Sequence, residues 1–180
     1  MDDRFTSWMY NVADEYKGLP IEEIKTKLAA KAFPYAILME NWQGDFNLAQ
    51  CVRNANAFGA KKVFYIGKKR YDRRGAVGTY NYTDVHYLSS MEELMALKKD
   101  YTFIGIDNVP GSVPIENYTH QDNSLFLFGE EGCGLTSDTI KLCDTLVSIT
   151  QYGSVRSLNA GCASGIVLYD YTRKYKESHR

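Results

Sequence analysis

Three polar, glycine-bearing segments of this sequence carry residue types able to do chemistry. The first reads Asn41-Trp42-Gln43-Gly44-Asp45-Phe46-Asn47 and runs on through Arg53 to Phe58-Gly59. With Asn47 at or near a helix N-cap, Arg53 falls nearly two turns further along, so the amide and the guanidinium sit at different depths. A capping asparagine followed by a surface arginine accounts for the same residues. The second segment, Gly129-Glu130-Glu131-Gly132-Cys133-Gly134-Leu135, follows the apolar stretch 124–128. Its three glycines permit close backbone approach to a ligand. It matches neither the dinucleotide fingerprint nor the phosphate-binding P-loop, which needs a lysine. Adjacent carboxylates at Glu130 and Glu131 would repel a pyrophosphate, yet could accept hydrogen bonds from ribose hydroxyls or hold an arginine. A tight left-handed turn with solvated glutamates is the plainer reading.

The third segment is the most unusual. It passes from Ile149 through Gly153-Ser154-Val155-Arg156-Ser157-Leu158-Asn159 into a helix that carries Ala160, Gly161, Ala163, Ser164 and Gly165 near its start. Each glycine costs a helix about 1 kcal/mol relative to alanine. Something must therefore come close: a cofactor at the helix start, a partner helix, or a tight contact within the chain.

Short apolar runs at 35–39, 62–66, 101–106, 124–128 and 145–149, bounded by Gly, Pro, Asp or Asn, read as buried strands. Helical stretches lie between them. The segment 48–58 aligns Leu48, Val52 and Ala55 on one side, Ser90 with Glu93 forms a capping box, Ser137 precedes Ile140 and Leu142, and a last helix is expected over 158–175. Pro20 followed by Glu22 and Glu23 opens a helix reaching about Lys31. The expectation is an α/β domain over 34–180, a mostly parallel sheet with helices on both faces, preceded by a short N-terminal helical extension over 1–33. Ligands of such sheets bind beyond the carboxyl ends of the strands, where the three segments fall.

Composition narrows the function further. The 180 residues are 44% hydrophobic and 24% charged, a globular mixture that excludes a mainly disordered chain. Apolar runs such as 33–39 and 166–169 fall far short of the roughly 18 residues that span a bilayer. The start, Met1, Asp2, Asp3 and Arg4, is acidic where a secretory signal is basic, so the expected compartment is the cytoplasm. Cys51, Cys133, Cys143 and Cys162 form no Cys-x-x-Cys pair, and His86, His120 and His179 are the only histidines. Neither a metal site nor a disulfide framework is expected. A net charge of −1 means that any nucleic-acid surface must be local. One candidate is the run holding Lys61, Lys62, Lys68, Lys69, Arg70, Arg73 and Arg74, interleaved with Phe64, Tyr65 and Tyr71; a solvated loop is its alternative.

Taken in order and with their spacing, the three segments resemble the three motifs of the SpoU (TrmH-like) class of SPOUT RNA methyltransferases, over roughly residues 35–175. The Asn47 and Arg53 pair with Phe58-Gly59 matches the first motif, the strand into Gly129-Glu130-Glu131-Gly132-Cys133-Gly134-Leu135 the second, and Ile149 with Ser157-Leu158-Asn159 the third. The resemblance implies transfer of a methyl group from S-adenosyl-L-methionine to a ribose 2′-hydroxyl of tRNA or rRNA. It also implies a C-terminal segment threaded into a deep trefoil knot, and a homodimer. Cofactor binding carries over to Gly129, Ile149 and Leu158, with Leu127, Thr150 and Ala163 as neighbours. Catalytic roles carry over to Asn47, Arg53, Glu131, Ser157 and Asn159.

In the family proposal the arginine matching Arg53 is the general base, which is awkward for a guanidinium that stays protonated at working pH. Two versions follow: Arg53 deprotonates beside an RNA phosphate, or it stays charged and positions that phosphate. The chain departs from the family at Thr150, where many relatives have proline, and at Ala160, where the usual residue is valine. Many rRNA-directed relatives carry a separate N-terminal RNA-binding domain, for which 33 residues are too few; this tilts the expectation toward tRNA. Recognition would then rest on the dimer surface, the N-terminal helix and the basic loop, with Lys68, Lys69, Arg70, Arg73 and Arg74 as RNA contacts. Two other classes remain: a noncatalytic RNA-binding or assembly protein on this fold, and a nucleotide-dependent oxidoreductase, which would lack its glycine fingerprint.

Overall fold

The computed structural model describes residues 12–44 and 46–180; Met1, Asp2, Asp3, Arg4 and Asp45 lie outside the described residues. Strands β1 (Phe33–Asn41), β2 (Ala60–Gly67), β3 (Val85–Leu88), β4 (Thr102–Ile106), β5 (Val113–Pro114), β6 (Ser124–Phe128) and β7 (Thr145–Ser148) form one sheet, in the order β3-β2-β1-β6-β4-β7-β5. Every pairing is parallel. Five helices accompany it among the described residues: α1 (Ile21–Lys31), α2 (Asn47–Ala57), α3 (Met91–Ala96), α4 (Ser137–Leu142) and α5 (Ala160–Ser178).

The alternation of side chains along β1 and β6 builds a core on each face. Tyr35, Ile37, Met39, Phe126 and Phe128 point to one side, where they meet Leu48, Val52 and Ala55 of α2 and Val167, Leu168 and Tyr171 of α5. Ala36, Leu38, Leu125 and Leu127 point to the other, against Leu94 of α3 and Leu135. β1 is buried from Tyr35 to Asn41 because it has a strand on each side and helices over both faces. The chain leaves it toward β2 and β3 in one direction, while β6 and β4 lie in the other. That reversal of strand order is where a parallel sheet opens a crevice.

Two strands escape the apolar pattern. β3 and the two-residue β5 are edge strands, paired on one side only and half-exposed for most of their length, so they carry no continuous apolar run. The last helix starts at Ala160, two residues later than expected, since Asn159 is its cap, and it continues to Ser178. α4 is capped by Thr136, one residue ahead of Ser137. At α2 the cap position belongs to Phe46, which offers no side-chain bond, and Asn47 is the first helical residue.

The basic run is not one loop. β2 carries Lys61 and Lys62 at its start, whereas Lys68 onward follows its end, a separation of about 20 Å at 3.3 Å per residue. Among the described residues no helix is long and apolar enough to cross a membrane, and no three His, Cys, Asp or Glu side chains are grouped to hold a metal ion.

Candidate functional site

Three strands, β4, β6 and β7, end side by side, and the segments that follow them wall a cavity of about 510 Å³. β4 delivers Asp107 and Asn108, β6 delivers Gly129 to Leu135, and β7 delivers Ile149, Gln151 and Arg156 to Leu158; Ala160 and Ala163 of α5 close the side.

The glycine segment is a tight hairpin. Glu130 and Gly134 exchange backbone hydrogen bonds of 3.2 and 3.0 Å. Gly129 must be glycine, because a Cβ there would stand 2.0 Å from the carbonyl carbon of Gly134 and 2.2 Å from the nitrogen of Leu135. Carboxylates pin this hairpin from below and behind. Asp107 Oδ2 accepts from the Leu135 amide at 3.0 Å. Buried Glu130 accepts from the backbone amide of Gln43, tying the hairpin to the loop after β1. Glu40, fully buried at the end of β1, accepts from the Thr136 amide at 2.8 Å and from the hydroxyls of Thr136 and Thr139 at 2.6 and 2.7 Å. Three donors offset the desolvation of its carboxylate.

At the rim, parts of all three segments meet in one hydrogen-bonded cluster. Asn159 Oδ1 accepts from the amides of Gly161 and Cys162 at 2.9 and 3.3 Å, capping α5. With its oxygen so engaged, its nitrogen points outward and donates to Asn47 Oδ1 at 2.8 Å and Glu131 Oε2 at 3.2 Å. Asn47 Nδ2 donates to the same Glu131 oxygen at 3.1 Å. Residues 47, 131 and 159, far apart in the chain, thus share one triangle of bonds.

The small residues of the third segment divide by direction. Gly161 faces α2, where an added Cβ would lie 2.1 Å from Gln50 Oε1, and Asn54 Nδ2 bridges Gly161 O and Ser164 Oγ at 2.7 and 2.9 Å. A close contact within the chain is therefore one reason for them. Ala160 and Ala163 face the cavity instead.

Of the remaining expected residues, Gly129, Ile149, Leu158 and Ser157 line the cavity. Leu127 does not: it is wholly buried in the core beneath. Thr150 turns away, donating to Glu116 Oε2 at 3.1 Å, while the Ile149 amide donates to Asn108 Oδ1 at 3.1 Å. Arg53 stands apart as well. It is exposed on an outer groove between α2 and α5, with Gln50, Val77, Cys162, Ile166 and Tyr169.

Beyond the end of β2, the cations are held against rings. The Arg73 guanidinium lies over Tyr71 and Tyr80 at 5.7 and 5.0 Å, Lys69 over Tyr87 at 5.5 Å, and Arg74 over Phe46 at 5.3 Å while forked onto Asp72. Lys68 Nζ donates to Gln43 O at 3.0 Å, and Arg70 is exposed beside it. Sequence reasoning missed Glu40, Asp107 and Asn108. Their signal was available: polar residues at or just past the carboxyl end of an apolar strand.

Known proteins share this fold. The model of the SpoU rRNA Methylase family matches residues 34–169. The 23S rRNA (guanosine-2′-O-)-methyltransferase RlmB of Coxiella burnetii is 28% identical over 168 residues, covering 89% of this chain and 67% of its own length. The crystal structure of the A. aeolicus TrmH/SpoU tRNA modifying enzyme superposes with a TM-score of 0.77 at 20% identity, covering 88% of this chain and 86% of that one. That of the SpoU methyltransferase AviRb from Streptomyces viridochromogenes, in complex with the cofactor AdoMet, gives 0.71 at 25% identity, covering 78% and 57%. With the match running from the first residues of β1 into α5 and taking in all three segments that converge on the cavity, this chain belongs to the SpoU rRNA Methylase family.

Proposed function

We propose that this protein transfers the methyl group of S-adenosyl-L-methionine to a ribose 2′-hydroxyl of RNA. The observation that carries the reading is the convergence of Asn47, Glu131 and Asn159 at the rim of a glycine-walled cavity. It is supported by relatives named for ribose methylation of 23S rRNA and by an AdoMet-bound relative.

The cavity suits the cofactor in size and chemistry. Its volume lies within the roughly 300–1,000 Å³ of small-molecule sites. Ile106, Phe128, Ile149, Leu158 and Ala163 offer an apolar wall for adenine, and the bare backbone at Gly129 allows close approach. Asp107 and Glu131 can accept from ribose hydroxyls. When bound, the cofactor supplies a methyl already activated by its positive sulfur, so the chain's own task is alignment. Asn47 and Asn159 hold Glu131 in one orientation, and Ser157 beside them can orient the incoming ribose. Leu127 acts from beneath by anchoring β6, which leads into Gly129, in the core, and Thr150 by fixing the third loop through Glu116.

Arg53 positions an RNA phosphate. Because it faces away from the cavity of its own chain, it serves the reaction best across a homodimer formed on the α2 and α5 face, where Val77, Ile166 and Tyr169 are exposed. Lys68, Lys69, Arg70, Arg73 and Arg74 approach the substrate backbone beyond the end of β2. Residues 34–180 are the methyltransferase unit, with the knotted threading implied by the family, and 1–33 an extension; the compartment is the cytoplasm.

The test combines labelled S-adenosyl-L-methionine with unmodified tRNA and 23S rRNA transcripts, followed by nucleoside mass spectrometry. A 2′-O-methylated nucleoside that disappears with Arg53→Ala is expected, and mixing Arg53→Ala with Gly129→Ala chains should restore part of the activity by pairing an intact arginine with an intact cavity. Methylation on a base would overturn the ribose assignment. An inactive mixture that is nonetheless dimeric would overturn the shared site.

A further inference from the structure

We infer a second RNA-contact surface at the opposite end of the sheet from the cofactor cavity. It rests on the RNA-methylation reading and extends it. A groove of about 970 Å³ runs across the amino-terminal ends of β1 and β2, between α1 and the second half of α5. Lys25, Lys31, Lys61, Lys62, Arg173 and Lys176 line it. Among the described residues Asp84 is the one carboxylate in the lining, and its Oδ1 already lies 2.8 Å from His86 Nε2.

The cations are available. Among the described residues no carboxylate pairs with Lys61, Lys62 or Lys176, and Lys176 rests over the Phe33 ring at 5.9 Å. Two of the others hold exposed partners, Lys25 with Glu22 at 2.9 Å and Lys31 with Glu15 at 3.1 Å, while Arg173 is fixed between the mostly buried Asp170 and the exposed Glu177 at 3.1 and 3.0 Å. Exposed pairs of this kind contribute about 0–1 kcal/mol and exchange readily for phosphate. The groove also offers rings. Phe33 and Tyr82, both part-exposed, stand in its lining. Cations tracking a backbone beside a ring on which a base can stack are the chemistry of single-stranded or locally opened RNA.

This is why the basic run of the sequence is split. β2 carries the Lys61 and Lys62 half to one end of the domain and the 68–74 half to the other, so an RNA reacting at the cavity can be gripped at both ends of β2. A second copy of the chain is a poorer occupant, because it would bring the same cationic groove and no matching acidic surface of its own lining.

The experiment compares the wild-type chain, the Lys61→Ala/Lys62→Ala double variant and a Lys99→Ala/Lys141→Ala control that removes equal charge from elsewhere. The probes are the unmodified tRNA and 23S rRNA transcripts, with affinity read over a potassium chloride series and methyl transfer read at saturation. The double variant should bind RNA roughly fivefold more weakly and lose about 1.4–1.8 from the slope of log K against log salt, as expected for two phosphate contacts. Its KM for RNA should rise while kcat and the KM for S-adenosyl-L-methionine stay at wild-type values, and the control should match wild type. Equal affinity and slope in the double variant and wild type would overturn the surface and leave the enzyme reading intact. A changed molecular mass in sedimentation with unchanged RNA affinity would assign the groove to a second copy. Failure of the wild type itself to bind or methylate either RNA would sink both readings.

Discussion

Asn159 performs two jobs that a pair of substitutions can separate. Its Oδ1 caps α5 through Gly161 and Cys162, and its Nδ2 binds Asn47 and Glu131. Asn159→Ala removes both. The lost cap costs about 1 kcal/mol, and the lost amide-to-carboxylate bond adds about another 1 kcal/mol at an exposed glutamate. At roughly 2–4 °C per kcal/mol for a domain of this size, the melting temperature should fall by about 4–8 °C. Asn159→Asp keeps an equally good cap and places a negative charge at the helix start, where the dipole favours it by about 0.3–1 kcal/mol. The same change puts an acceptor where the amide now stands 3.2 Å from Glu131 Oε2. Two carboxylates that close repel by between about 1 and 5 kcal/mol, depending on the local dielectric. The aspartate variant should therefore keep the helix cap that the alanine variant loses, yet lose at least as much activity, tenfold or more. Melting followed by circular dichroism, cofactor affinity by calorimetry and methyl transfer at 25 °C distinguish the outcomes. If Asn159→Asp transfers methyl at the wild-type rate, or if activity simply follows melting temperature, the triangle of bonds has no functional part.

Two other perturbations follow from the same geometry. Gly129→Ala sets a methyl 2.0 Å from the Gly134 carbonyl carbon, so the hairpin must move; S-adenosyl-L-methionine affinity should drop at least tenfold with the far-ultraviolet spectrum retained, and unchanged affinity in calorimetry would contradict the close approach. Asp170 reports on the distal part of α5: burial pushes its carboxyl up, but hydrogen bonds from His120, Lys174 and Arg173 outweigh it and hold the group at about 2. A folded value below the ordinary 3.8 means that the stabilisation is complete above that pH and is lost as pH falls through about 2. The stability gap between wild type and Asp170→Asn should therefore narrow from about pH 4 downward, and a gap that stays constant in denaturant titrations over that range would refute the assignment.

Much of the molecule was legible before folding was considered, because its signals are local. The apolar runs of β1, β2, β4, β6 and β7 declare themselves by length and by bounding glycine, proline, aspartate and asparagine. Ser90 and Glu93 specify the start of α3 through short-range bonds, the Glu93 amide donating to Ser90 Oγ and the Ser89 amide to Glu93 Oε2. The alternation of strands and helices then dictates a parallel sheet, and that sheet dictates the end at which the three segments gather.

What only the tertiary structure decided are relations between residues distant in the chain. Residue type could not tell whether Asn47 caps α2 or serves a site; its partners, Glu131 and Asn159, arrive from 84 and 112 positions away. Glu40 reads as one acid in an apolar strand until Thr136 and Thr139 close over it. The edge strands β3 and β5 form because neighbouring strands offer them unpaired amides and carbonyls, whatever their own weak pattern. Seven neighbouring cations in the sequence become two separate surfaces because a strand is stiff and extended, and eight residues of β2 hold its two ends apart.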